Sequence, residues 1–441
     1  MTDTLRATGC FALFLVSAAL TACEREPVAP RPAEEYPVLA ASGAWCWFGD
    51  PRGLRFHGDH DRVYAGWVDS AGSIVVSSLD LESGERAEST VHPAFNRDDH
   101  ANPSLLGLPD GTIVVFYTSH GSDVSDAMYY RISLRPEDIT AWSERFEVGS
   151  NTEGPRGYTY PNPVRLSDEG GRVYLFWRGG NFKPSFSYTD DLSTWTPART
   201  LIQSDNATVV RPYVKIATDG RGTIHFAFTD GHPRNEPLNS IYYLRYQGGN
   251  FTRADGSLVG TMTDLPLIHQ RADLVYDGRV AGVRAWIWDV AADEQGNPVI
   301  VYSRLPEESD HRYHYARWNG EEWRDIEITA AGGWFPDTPE GVTEPEPHYS
   351  GGIVLDHGNP SEVYLSRPVA GRFEIERWWT LDEGANWLSR PVTTGSENDN
   401  VRPFVIRDHG ESSPLLLWME NRHYRHYLDF DSAIRIDRVP R

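Results

Sequence analysis

Cysteine is scarce: 3 in 441 residues, at Cys10, Cys23 and Cys46, with no pair spaced to hold a metal. There is also no H-E-x-x-H motif and no acidic calcium loop. Basic residues are outnumbered 41 to 63, and the net charge of −22 opposes binding to a nucleic acid by overall attraction. An anionic ligand must therefore be held by a local basic pocket. Long helical bundles are excluded by 39 Gly and 30 Pro, which punctuate any helical plan heavily. Disorder is excluded by what is abundant: 39% hydrophobic residues, 12% aromatic, with 15 Trp and 21 Tyr.

The apolar run Phe11 to Leu20 follows Arg6, is short for a bilayer span and ends in small residues, as a secretory signal peptide does. Leu20-Thr-Ala-Cys23 is similar to the lipobox of bacterial lipoproteins, which implies cleavage before Cys23 and a lipid on its sulfur. The polar, Pro-rich stretch Glu24 to Glu35 then reads as a tether. The expected organisation is a signal peptide over 1–22, a tether over 23–44 and one domain over 45–441. The expected product is an exported lipoprotein, periplasmic or at the cell surface, touching membrane only through its anchor and monomeric. Cys46 is left without a partner for a disulfide.

Behind recurrent turn residues, seven β-rich runs begin at Val63, Ile113, Val173, Ile224, Val299, Val363 and Leu415. Aromatic-rich strand candidates follow several of them: Met128–Arg131, Ile241–Tyr246, Tyr313–Arg317 and Tyr424–Tyr427. Another set precedes them: Trp47–Asp50, His100–Pro103, Tyr160–Pro163, Arg211–Tyr213, Trp286–Asp289, His348–Gly351 and Arg402–Phe404. A sheet of three or four strands cannot cover its own faces and must stack on its neighbours. The repeat therefore predicts an all-β fold, a single seven-bladed β-propeller, in preference to a β-sandwich or two unrelated β domains. Two Asp-box turns agree with it, Thr380 to Trp387 (TLDEGANW) and, less completely, Tyr188 to Trp195 (YTDDLSTW). In such a turn the Asp caps a hairpin and the Trp packs between sheets.

If the runs are equivalent, their ends converge on one face. Strand starts supply His100, Tyr160, Arg211, His348 and Arg402; strand ends supply His120, Arg178, Arg304 and Arg367, with His232 and Arg234 just beyond the fourth run. A cleft so lined focuses positive potential on a ligand carrying carboxylate or sulfate. Each residue also has an ordinary reading. A lone His near a strand end usually serves a turn, Arg211 and Arg402 could bind neighbouring carbonyls or Asp98, Asp99 or Asp230, Tyr213 could simply pack, and His311 and His314 read as solvated.

Asp98-Asp-His-Ala-Asn-Pro-Ser104, Tyr160-Pro-Asn-Pro163, Tyr174-Leu-Phe-Trp-Arg-Gly179, Arg211-Pro-Tyr-Val-Lys215, Thr223 to Asn235 and Tyr349-Ser-Gly-Gly352 resemble the BNR-repeat proteins that include ulvan lyases. The resemblance runs from about Trp45 onward. It implies a polysaccharide lyase that opens 4-linked uronates of a rhamnose–uronate glycan by β-elimination. It further implies that Arg178 neutralises the carboxylate and that His100 and Tyr160 divide the roles of base and acid. His120 is a supporting or alternative proton-transfer group, and Tyr213 another active-site tyrosine, although the spacing before it differs from the family pattern. Arg211, His232, Arg234, His348, Tyr349, Arg367 and Arg402 are expected to grip substrate or hold the channel together. The chemistry needs no cofactor; a structural divalent cation in the axial channel is left open, and no metal ligand is assigned.

Two rival functions remain. A hydrolase on the same fold would need a carboxylate pair, for which Asp99, Asp230, Asp289, Glu344, Glu346 and Glu420 are candidates, or a Tyr nucleophile with an assisting acid. A non-catalytic lipoprotein would use the same basic cleft only to capture glycan.

Overall fold

The computed structural model describes Met1 and residues 29–155, 157–204, 211–333, 350–410 and 413–439. Seven antiparallel sheets follow one another along the chain and form a seven-bladed propeller. The second strand of each blade is one of the seven runs found in the sequence: Asp61–Val68, Ile113–Tyr117, Arg172–Arg178, Thr223–Thr229, Pro298–Glu307, Glu362–Val369 and Leu415–His426. These runs are apolar almost throughout because a middle strand is covered by neighbouring sheets on both faces, and Ile113–Tyr117 is buried at every position. Outer strands alternate instead. Arg86–His92, the last strand of the first blade, exposes every second residue over most of its length.

Both Asp-boxes behave as turn caps. Asp382 accepts the Asn386 amide at 2.8 Å, and Asp191 accepts those of Ser193 and Thr194. Their tryptophans pack on the neighbouring blade, Trp387 edge-on to Tyr315 and Trp195 edge-on to Phe116 and Tyr130.

Three expectations need correction. Tyr424–Tyr427 is not a third strand: up to His426 it prolongs the second strand of the last blade, whose third strand is Asp429–Arg438. Trp47–Asp50, His100–Pro103 and Arg211–Tyr213 are not strands: the first belongs to a segment that crosses towards the axis, the second overlaps a 3-10 turn, Asp99–Ala101, ahead of the strand Ser104–Gly107, and the third leads into the strand Val214–Thr218. The ring also begins well before residue 45. Val38–Ala40 pairs antiparallel with Asp429–Arg438 and supplies the outer strand of the last blade, closing the ring. Upstream of it Ala33 and Tyr36 are buried, Tyr36 donates its hydroxyl to the Val392 carbonyl at 2.6 Å, and Arg31 bridges Thr393. The part of the expected tether from Arg31 onward is thus propeller. The signal segment, Cys23 and the rest of the tether lie outside the described residues, apart from Met1 and residues 29 and 30. Among the described residues no helix is long and apolar enough to cross a membrane.

Closure by the first strand carries a prediction. A chain beginning at residue 43 should be less stable than one beginning at residue 29 by about 5 kcal/mol, from the lost burial of Tyr36, Leu39 and Ala33. Thermal unfolding of the two forms measures it; equal midpoints would show that the ring closes without this strand.

Candidate active site

The site begins with backbone. Tyr160 and Arg402 occupy equivalent places, each before a proline in the first strand of its blade, with φ of 60° and 51°. Each lies where the pairing register shifts, between Thr159 and Asn162 and between Val401 and Phe404. A bulge there re-aims the side chain, at the cost of a left-handed conformation that β-carbons resist. Asparagines from the same repeated motif fix the segment that crosses the axis. Asn102 accepts the Cys46 amide at 3.1 Å and donates to the Gly49 carbonyl; Asn162 accepts the Asp50 amide and donates to the Phe48 carbonyl at 2.9 Å. Lys215 holds that segment from below, donating to the Trp47 carbonyl and to Asp50, which also takes Arg52 at 3.0 Å.

Above this floor lies a cleft of about 310 Å³. It gathers His100, His120, Tyr160, Arg178, Arg211, Tyr213, His232 and Arg234, eight of the residues singled out in the sequence. Arg178, at the end of the second strand of its blade, donates to the Tyr213 hydroxyl at 2.9 Å and to Thr159 Oγ1 at 3.2 Å. Its guanidinium carbon lies 4.8 Å from the Tyr160 ring centre and 5.0 Å from that of Phe182. Among the described residues its hydrogen bonds thus run to hydroxyls, and a carboxylate is left for the ligand to bring. Arg211 lies over Phe182 at 4.5 Å, and His232 stands edge-on to Tyr213. Burial, together with Arg234, Arg211 and Arg178, holds His232 well below the usual imidazole range, so it is neutral at pH 7.

His100 and His120 are stacked, with ring centres 4.2 Å apart and planes within 2° of parallel. Asp98 joins them, one carboxylate oxygen to each Nδ1, both at 2.8 Å. His100 Nδ1 also meets Asp99 at 2.8 Å. Asp98, His100 and His120 bring three donor atoms within 4.8 Å of one another. Both Nδ1 atoms are committed to hydrogen bonds with Asp98 inside the trio, so the group reads as a hydrogen-bonded clamp.

Other expected residues lie elsewhere. Arg402 is fully buried and bound to Asp99, the Trp45 carbonyl and the Tyr424 hydroxyl, so it holds the channel and cannot reach substrate. Arg367 forks onto Glu376 at 2.7 and 2.9 Å, and Arg304 pairs with Asp325; neither lines the cleft. His311 and His314 are not solvated: both are buried, bonded to Ser350 and Asp325. His348, Tyr349, Glu344 and Glu346 fall outside the described residues. Sequence reasoning missed Trp47, Phe48, Phe182, Trp286 and Tyr427 as lining, and Asp98 as the clamp. Only the Asp-x-His spacing of Asp98 and His100 signalled any of these.

The family model described as a BNR repeat-containing family member matches residues 62–331. An ulvan lyase of Pseudoalteromonas sp. (strain PLSV) is 22% identical over 270 residues, 51% of this chain and 51% of that protein, so the match spans about half of the relative's length. An ulvan lyase of Alteromonas sp. (strain LOR) is 21% identical over 376 residues, 74% of this chain and 70% of that protein. Among solved structures, a PL25 ulvan lyase bound to -[GlcA(1-4)Rha3S]- superposes with a TM-score of 0.68 at 16% identity, covering 91% of this chain and 95% of that one. That likeness carries the fold.

Proposed function

Since the chain belongs to the BNR repeat-containing family, we propose for it the activity its cleft best suits, that of a polysaccharide lyase cleaving a 4-linked uronate in a sulfated rhamnose–uronate glycan by β-elimination. The observation that carries this reading is a buried guanidinium, Arg178, bonded only to hydroxyls among the described residues and set beside two phenols and a pair of imidazoles. The C5 proton of a uronate is acidic enough to remove only when its carboxylate is neutralised, the role this reading gives to Arg178. Removing that proton and returning one to the departing O4 fall to His100, His120 and Tyr160, whose rings lie within 5.7 Å of one another in succession. Arg211 and Arg234 hold sulfate or a neighbouring carboxylate at the rim.

A hydrolase built on a carboxylate pair is not favoured. Asp99, Asp230, Asp289 and Glu420 are all buried, and Asp123 is the one carboxylate among the described residues that lines the cleft. The test follows both products. Digestion of ulvan should raise reducing ends and the ultraviolet absorbance of an unsaturated uronate together; new reducing ends without that absorbance would replace this reading with hydrolysis.

A further inference from the structure

We propose that Asp98 is a positioning residue that makes the stacked His100 and His120 rings share a single charge, with His100 the imidazolium and His120 the neutral ring whose Nε2 receives the substrate proton. The inference rests on the lyase reading for its consequence, though not for the state of the rings. An ionised carboxylate only accepts hydrogen bonds. Asp98, buried, offers one oxygen to each Nδ1 at 2.8 Å, so both rings must carry hydrogen there. The Nε2 atoms are therefore the ones whose protonation can differ. Two parallel rings 4.2 Å apart cannot both be charged cheaply, because like charges at that distance drive their titrations apart.

Their surroundings decide which ring holds the charge. His100 faces two carboxylates, Asp98 and Asp99, with Cys46 lining the same cleft and Tyr160 and Tyr427 at 5.7 and 4.8 Å. His120 is bonded to one carboxylate among the described residues, Asp98, with Tyr427 at 5.3 Å, the Arg178 charge acting against a proton on it, and Asp123 lining the same cleft. The expected titrations agree in direction. Burial opposes a charge on His100, but the ionised Asp99 and Asp98 outweigh it and hold the ring above the usual imidazole range, while burial pushes the Cys46 thiol up and keeps it neutral. Burial and the His100 charge hold His120 below that range, against the pull of Asp98.

In the elimination, His120 Nε2 takes the C5 proton and the freed electron pair becomes the C4–C5 double bond. The C4–O4 bond breaks, and O4 takes the Nε2 proton of His100. One ring gains the proton that the other loses, so the charge on the pair is unchanged through the step, and Asp98 holds both rings in register for it.

Histidine-selective ¹⁵N NMR of the folded protein at pH 7.5 tests the ring states without substrate, with His100→Gln and His120→Gln supplying assignments. The expected spectrum shows His100 protonated on both nitrogens and His120 neutral with hydrogen on Nδ1. Two neutral rings, two charged rings, or the reverse assignment overturns the proposal, as does loss of the pattern on adding EDTA, which would mean a metal holds the trio. Asp98→Asn then tests the consequence. An amide presents one acceptor and one donor, so one ring must change tautomer, and kcat should fall by about 100-fold while KM stays within about threefold. The alkaline limb of the kcat profile should move as well, which a purely structural role would not cause. Unchanged kcat in a folded Asp98→Asn protein also overturns the proposal. Should the wild type yield no unsaturated product, the lyase reading fails while the spectrum still decides the state of the pair.

Discussion

Arg178→Ala should lower kcat/KM on a uronate glycan by about a thousandfold or more, while leaving the protein folded. The size follows from what the guanidinium does at the moment of proton removal. Negative charge that begins at C5 is delocalised onto the uronate carboxylate, so the group neutralising that carboxylate acts most strongly in the transition state. Arg178 is buried, so its charge is screened little, and its position is fixed by Thr159 and Tyr213 and by the aromatic faces of Tyr160 and Phe182. Most of the loss should therefore appear in kcat, with a smaller rise in KM. Arg178→Lys should recover only part of the rate, because an ammonium cannot hold a carboxylate with two parallel bonds while keeping Tyr213. Progress curves at 235 nm, with reducing ends followed in parallel, measure both variants. An alanine variant that keeps a tenth of the wild-type kcat would remove Arg178 from the reaction and with it the case for elimination in this cleft.

How much of this was legible in the sequence depended on what each residue answers to. The seven second strands showed because burial on both faces leaves a continuous apolar signature that needs no partner to be recognised. Tyr160 could be counted among the strand starts because its Tyr-Pro step is a local feature, whereas the left-handed backbone that aims it showed only in the structure. Arg402 shares that local feature and yet serves another end, since its fate was set by Asp99, 303 positions away in the chain. Arg367 was likewise drawn aside by Glu376 on the adjacent strand. Spacing told which end of a strand these arginines occupy; it could not tell whether a carboxylate waited beside them. The closing strand Val38–Ala40 was hidden for a different reason. Three apolar residues just past a Pro-rich polar stretch are too few for a periodicity, and their strand character comes from the edge offered by Asp429–Arg438. The floor segment Trp47–Phe48 was misread because its aromatic residues suggest a strand, whereas they pack inward on Trp288, Trp286, Tyr160 and Tyr213.

The second large effect is expected at Arg402, where the loss is one of stability. Its guanidinium joins the first strand of the last blade to Asp99, at the entrance to the second blade, and to the Trp45 carbonyl of the axial segment, while its carbonyl accepts the Trp45 indole at 3.3 Å. Arg402→Met keeps much of the volume and leaves the Asp99 carboxylate buried without its main counter-charge. Breaking one side of a buried pair in this way costs about 3–5 kcal/mol. The pH dependence distinguishes this cause from simple loss of packing. In the wild type, burial raises the Asp99 pKa but Arg402 and His100 more than offset it, so the group lies below the ordinary carboxylate range and its stabilisation is lost as pH falls. Without Arg402 the burial effect gains ground and the folded-state pKa rises. If it passes the unfolded value, the folded variant binds more protons than the unfolded chain, and its stability falls as pH rises through that window. The deficit relative to wild type should therefore be larger at pH 8 than at pH 5, moderated by His100, which stays against Asp99. Arg402→Met combined with Asp99→Asn removes both charges and should recover more than half of the deficit at pH 8. Thermal or denaturant unfolding of the two variants at both pH values measures these differences. A deficit independent of pH, or a double variant no more stable than the single one, would show that Arg402 acts through packing on Trp47 and Tyr424 rather than through its charge.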